Sequence, residues 1–218
     1  MASVRPSRRT GLAVALAGVL WYGAGCVPAP RIFVAGDERP FASVDSITRP
    51  FRIAILPLAN YSTDRDAVQR ISLALLNECA RIPGIEIVDP GAVDAALSKE
   101  PWMLLDRLPP DLADRIGAEL KADGLLQGAL LQYGARDGID GRTPQVSMAL
   151  RLTRCPGSRI VWSAVHGRDG ADREWLFGFG RVNATEQLAT EVVREAMQPF
   201  ATAMEAKTQR KAVSRERK

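Results

Sequence analysis

The run Phe51-Arg52-Ile53-Ala54-Ile55-Leu56-Pro57-Leu58 narrows the choice of fold more than any other part of the chain. A strand that is apolar on both faces must be covered on both, so this one predicts the centre of a sheet with helices packed on it. A polar turn at 60–64 follows. The stripe Val68, Ile71, Leu75, Cys79, Ile82 then predicts an amphipathic helix over 66–82, closed by Pro83-Gly84. Residues 85–88 read as a short strand and 90–98 as a short helix with Pro90 near its start. Pro109-Pro110-Asp111 opens a third helix, with Leu112, Ile116 and Leu120 on one face, and Asp123-Gly124 leads into a strand at 125–133.

After a glycine-rich loop at 134–143, Val146, Met148, Leu150 and Leu152 alternate with polar residues, as in a strand with one buried face. Pro156-Gly157 makes a tight turn, and 159–166 returns as the hairpin partner. Asn183 with Glu186 forms a capping box for a last helix. Its apolar face is Leu188, Val192, Val193, Ala196 and Phe200, and Pro199 is expected to bend or end it. The order β-α-β-α-α-β-β-β-α gives an α/β (α+β) fold, a mixed sheet of about five strands with helices packed on it.

The first 26 residues bear on the compartment. Arg5, Arg8 and Arg9 precede the apolar run GLAVALAGVL, and Trp21-Tyr22-Gly23-Ala24-Gly25-Cys26 follows. A basic start, a short apolar stretch and small residues before a cut are the pattern of a secretory signal. An uncleaved anchor is the alternative; a spanning helix needs about twenty apolar residues, and Gly18, Gly23 and Gly25 interrupt this run. Gly-Ala-Gly-Cys resembles the lipobox of bacterial lipoproteins, with Gly23 where Leu is usual. That resemblance implies acyl chains, palmitate among them, on Cys26, and Val27 after it implies the outer membrane. Ser7-Arg8-Arg9 with Leu12 partly resembles a twin-arginine signal, which leaves the export route open. The expected organisation is a signal peptide at 1–25, lipidated Cys26 with a proline-rich tether to 50, a periplasmic domain at 51–204, and a basic disordered tail at 205–218.

Composition excludes some function classes. With 46% hydrophobic and 25% charged residues the chain is neither disordered nor polytopic. Of its 29 basic residues, three lie in the first ten positions and six in the last twelve. The 20 left face 24 acidic residues, so the folded part is acidic and nucleic acid is not an expected partner. His166, the only histidine, falls at a strand end and reads as exposed, not as part of a Ser-His-Asp or Cys-His site. No phosphate-binding glycine motif and no metal-ligand spacing is present. Carboxylates such as Asp64 with Asp66, or Asp111 with Asp114, stand at helix starts, where they favour the helix dipole. The expectation is therefore no enzyme, no cofactor and no metal. Cys79 faces its helix core while Cys155 falls on the polar parity of its strand, so no disulfide is expected between them.

Several segments, in order, resemble the CsgG/LpoB-like envelope lipoproteins and the TolB amino-terminal domain. Ile53-Ala54-Ile55-Leu56-Pro57-Leu58-Ala59-Asn60 is similar to that family's "VAVLPFEN". Ile85-Glu86-Ile87-Val88-Asp89 is similar to "FEVVDR", and Ala122-Asp123-Gly124-Leu125-Leu126-Gln127-Gly128 to "ADALLVG". Arg151-Leu152-Thr153, on through Gly157 to Val161-Trp162-Ser163, is similar to the "RLVDTETGEVLWS" hairpin. The resemblance spans roughly 51–200. It implies a non-catalytic periplasmic adaptor that binds an envelope protein, and it leaves homo-oligomer formation open. The long membrane-inserting hairpins of the pore-forming members have no room here, so a pore is not implied. A periplasmic module binding a small ligand or cell-wall glycan is the alternative.

Trp175-Leu176-Phe177-Gly178-Phe179-Gly180 is the remaining unusual stretch. Aromatics between glycines in a connecting segment suit a docking surface made of Trp175, Leu176, Phe177 and Phe179. They equally suit a cover over the sheet as ordinary core, and the sequence leaves the two open. Insertion at a membrane interface is less favoured, because few basic residues flank the segment.

Overall fold

The computed structural model describes residues 50–100, 108–138, 141–175 and 178–216. The elements are β1 (Phe51–Ile55), β2 (Ala59–Asn60), α1 (Ala67–Ala80), β3 (Ile85–Ile87), α2 (Pro90–Leu97), α3 (Pro110–Glu119), β4 (Gly124–Gly138), β5 (Gly141–Arg154), β6 (Arg159–Asp169) and α4 (Thr185–Glu216). The six strands form one mixed sheet in the order β3-β1-β4-β5-β6, with the two-residue β2 also pairing with β4. β1 runs parallel to β3 and β4; β4, β5 and β6 form an antiparallel meander.

As its apolar sequence requires, β1 is internal to the sheet and buried on both sides. Phe51 and Ile53 face a core shared with α1, α4 and the even-numbered side of β5, including Leu150 and Leu152. Ala54 faces a second core with α2 and α3, together with Leu125, Ile116 and Cys155. Asp123 fixes where β1 meets β4: its carboxylate accepts from the Arg52 backbone N–H at 2.8 Å, and its own N–H donates to the Arg52 carbonyl. In the larger core Trp162 and Phe200 lie 5.6 Å apart between ring centroids, so β6 and α4 are joined by a tilted aromatic pair.

Four expectations need correction. The glycine-rich 134–143 region is not a loop: β4 continues to Gly138 and β5 begins at Gly141, paired as far as Gly138↔Gly141. Cross-strand pairing carries the glycines along, because each strand supplies the other's backbone hydrogen bonds. The hairpin thus overhangs its neighbours, since β6 pairs with β5 only as far as Gln145↔Asp169. The overhang is short, so the expectation that long membrane-inserting hairpins have no room is untouched by it. Pro199 does not end α4, which continues around it. The missing N–H removes one hydrogen bond, whereas Ala196, Met197, Phe200 and Met204 on both sides of it are buried. The helix also extends to Glu216, through most of the segment read as a disordered tail. Finally, Cys155 is buried, not on a polar face: α3 covers it, and its thiol donates to the Ala113 carbonyl at 3.5 Å. Both Cys79 and Cys155 are free thiols, in separate cores. The signal, Cys26 and the tether lie outside the described residues.

Candidate functional site

The segment 170–184, between β6 and α4, closes back on the sheet by backbone bonds at both of its ends. Gly170 donates to the Pro144 carbonyl and Val182 to the Gly170 carbonyl, each at 2.8 Å. A side chain at 170 would collide with the Val182 carbonyl, its Cβ coming within 2.2 Å, so this crossing requires glycine. Within the loop Trp175 N–H donates to the Phe179 carbonyl at 2.7 Å, and Gly180, at a φ of 85°, turns the chain back beneath Arg173. Arg181 donates to Glu174 and to the Thr143 hydroxyl, each at 3.1 Å, which ties the loop to the base of the β4–β5 overhang.

On this wired loop Trp175 is 75% exposed and Phe179 70% exposed. For these two residues the core reading is overturned; Leu176 and Phe177 lie outside the described residues. Tyr61, 64% exposed, stands at the same end of the sheet, on the far side of the overhang. The three most exposed large hydrophobic side chains of the described part therefore share one end. Nothing in the 60–64 turn had marked Tyr61, since a lone aromatic beside a polar turn carries no periodic signal.

The loop is anchored to α4 through a half-buried charge cluster that the sequence did not reveal. Glu195 receives Arg173 at 2.8 Å and Arg168 at 3.3 Å on one oxygen, and pairs with His166 at 2.9 Å through the other. Arg168, buried in the edge strand, also donates to Glu191 at 2.7 Å. Partial burial pushes the Glu191 carboxyl up, but hydrogen bonds from Arg168 and Gln187 more than offset this and hold it below the usual range. His166 is thus not the exposed strand-end residue expected: it lies beneath α4, 19% exposed. Its side-chain partner among the described residues is the Glu195 carboxylate. Among the described residues no group of three His, Cys, Asp or Glu could hold a metal ion, and no helix is long and apolar enough to cross a membrane.

No protein-family model matches the sequence, and no curated protein does. Solved structures do match. The chain superposes on lipoprotein GNA1162 of Neisseria meningitidis with a TM-score of 0.51 and 17% identity, covering 70% of this chain and 99% of that one. The domain has the fold of that lipoprotein. This agrees with the envelope-lipoprotein resemblance seen in the sequence motifs. Looser likenesses are to the PelC dodecamer of Paraburkholderia phytofirmans and to the LpoB C-terminal domain of Salmonella enterica. The first has a TM-score of 0.48 and 18% identity, over 76% of this chain and 96% of that one. The second has a TM-score of 0.38 and 16% identity, over 57% and 86%.

Proposed function

We propose that this chain is a lipid-anchored lipoprotein of the bacterial envelope, held on the periplasmic face of the outer membrane through Cys26. Its domain scaffolds or regulates an envelope assembly by binding a protein partner, without catalysis. The observation that carries the reading is the exposure of Trp175 and Phe179 on a loop fixed at both ends. Exposed aromatics on a rigid support lose little side-chain entropy on docking and are the residues that most often dominate an interface. The lipobox-like Gly-Ala-Gly-Cys and the fold shared with a lipoprotein support the envelope location.

The experiment is a crosslinking pull-down from membranes with Trp175→Ser and Phe179→Ser combined. Partner recovery should fall to background while the melting temperature stays within a few degrees of the parent, because neither side chain is buried. A large drop in melting temperature, or undiminished recovery, would sink the docking role.

A further inference from the structure

We propose that the free edge of β4 beside Tyr61 takes an extended acidic peptide segment of another protein as an added strand. This rests on the reading that the domain works through protein contacts, and places a second contact away from the aromatic loop. β2 pairs with β4 only at Ala59↔Ala129 and Asn60↔Leu130, and Tyr61 N–H then donates to the Leu130 carbonyl at 2.9 Å. Beyond Leu130 the outer edge of β4 has no strand partner among the described residues, so its outward N–H and C=O groups are open to pairing. The register slips at this point, from Leu130↔Met148 to Gln132↔Ser147, which leaves Leu131 as an extra residue and starts the overhang.

A groove of about 470 Å³ runs along this edge, lined by Tyr61, Tyr133, Gly134, Arg136, Arg142 and Gln145 among others. Its walls supply what strand addition uses, a main-chain edge with side-chain pockets beside it. Charge selects the guest. Among the described lining residues the only carboxylate is Asp64, already held by Arg70 at 2.8 Å, while Arg136 and Arg142 are exposed. Arg136 has only a distant carboxylate, Asp169 at 3.8 Å, whose nearer contact is the Gln145 amide at 2.8 Å. The two exposed arginines, one 3.8 Å from Asp169 and the other opposite Asp137 in the ladder, outnumber the single, already paired carboxylate of the lining and favour acidic side chains on the added strand.

The test uses the full chain in detergent and a fluorescein-labelled peptide of four Glu-Val repeats, with four Lys-Val repeats as its counterpart. The acidic peptide should bind saturably by anisotropy and slow amide exchange within 131–138, because an added strand engages outward backbone groups that a side-chain contact leaves exchanging. Arg136→Glu with Arg142→Glu should weaken it by about tenfold and admit the Lys-Val peptide instead. Trp175→Ser with Phe179→Ser should leave the peptide bound. If that pair abolishes binding, the aromatic loop holds the peptide and the β4 site is wrong, while the docking role of the loop survives. Binding insensitive to the charge reversal overturns the proposal, as does protection that falls on β6. So does protection of 131–138 that grows with protein concentration alone, which would mark a second copy, or displacement of the peptide by phosphatidylglycerol vesicles.

Discussion

Asp114 holds the β5–β6 turn against α3. Its carboxylate accepts from the Gly157 N–H at 3.0 Å and from the Ser158 hydroxyl at 2.9 Å. The Gly157 and Ser158 hydrogen bonds keep its pKa below the ordinary 3.8. A group depressed in the folded state stabilises above its unfolded value and loses that contribution as pH falls through its folded one. Asp114→Ala should therefore melt lower than the parent at neutral pH, and the difference should shrink once the medium is more acidic than the folded carboxyl. Thermal melts on both sides of that point check it; a difference independent of pH would assign the effect to packing. The two thiols make a complementary case. Burial pushes Cys79 up to about 12 and Cys155 up to about 11, so neither supplies thiolate at neutral pH. Iodoacetamide should modify them only after denaturant is added, as read by intact mass.

At the scale of elements, legibility in the sequence followed how much of the burial a single period could express. The buried side of β5 alternates visibly because one core covers it along its length. Its other side could not be read as buried from Cys155, because the helix that covers it lies some forty residues earlier in the chain. The overhang was hidden for a different reason: Gly134, Gly138 and Gly141 carry turn chemistry whether or not a partner strand pairs with them. Nothing in the sequence marked Glu191 and Glu195 of α4, because only the antiparallel placement of β6 brings Arg168 and His166 under them. Of the candidate site, the aromatic loop was legible as unusual, but its exposure was not. Pro199 gives the matching prediction for α4. A helix-interior proline costs about 3 kcal/mol against alanine, so Pro199→Ala should raise stability by up to about that amount in urea unfolding. No gain would mean that the surrounding helix has already relaxed around the ring.

For the whole molecule, the grouping of Tyr61, Trp175 and Phe179 at one end of the sheet gives the domain a direction, and on the proposed reading partners dock at that end. On the proposed reading Cys26→Ala should leave an unlipidated chain that separates from membranes, or an uncleaved precursor. Mass spectrometry of the native protein showing an unmodified Cys26 in a soluble chain would refute the anchor. The position of β1 has a further consequence, in time and not in space. The strand inside the sheet is the first of the described strands to be made, yet its bond from Arg52 reaches Asp123, 71 residues on, and its core is closed by α4. If the chain crosses a membrane from its amino end, as the proposed reading has it, β1, α1 and β3 can pack on one another but gain the rest of their core only when β4 and α4 have followed. On that reading, such a topology postpones completion of the core until most of the domain has crossed. The meander β4-β5-β6 joins strands that are near neighbours in the chain, so its pairing carries the lower loop-closure cost and is expected to precede the docking of β1 and β3.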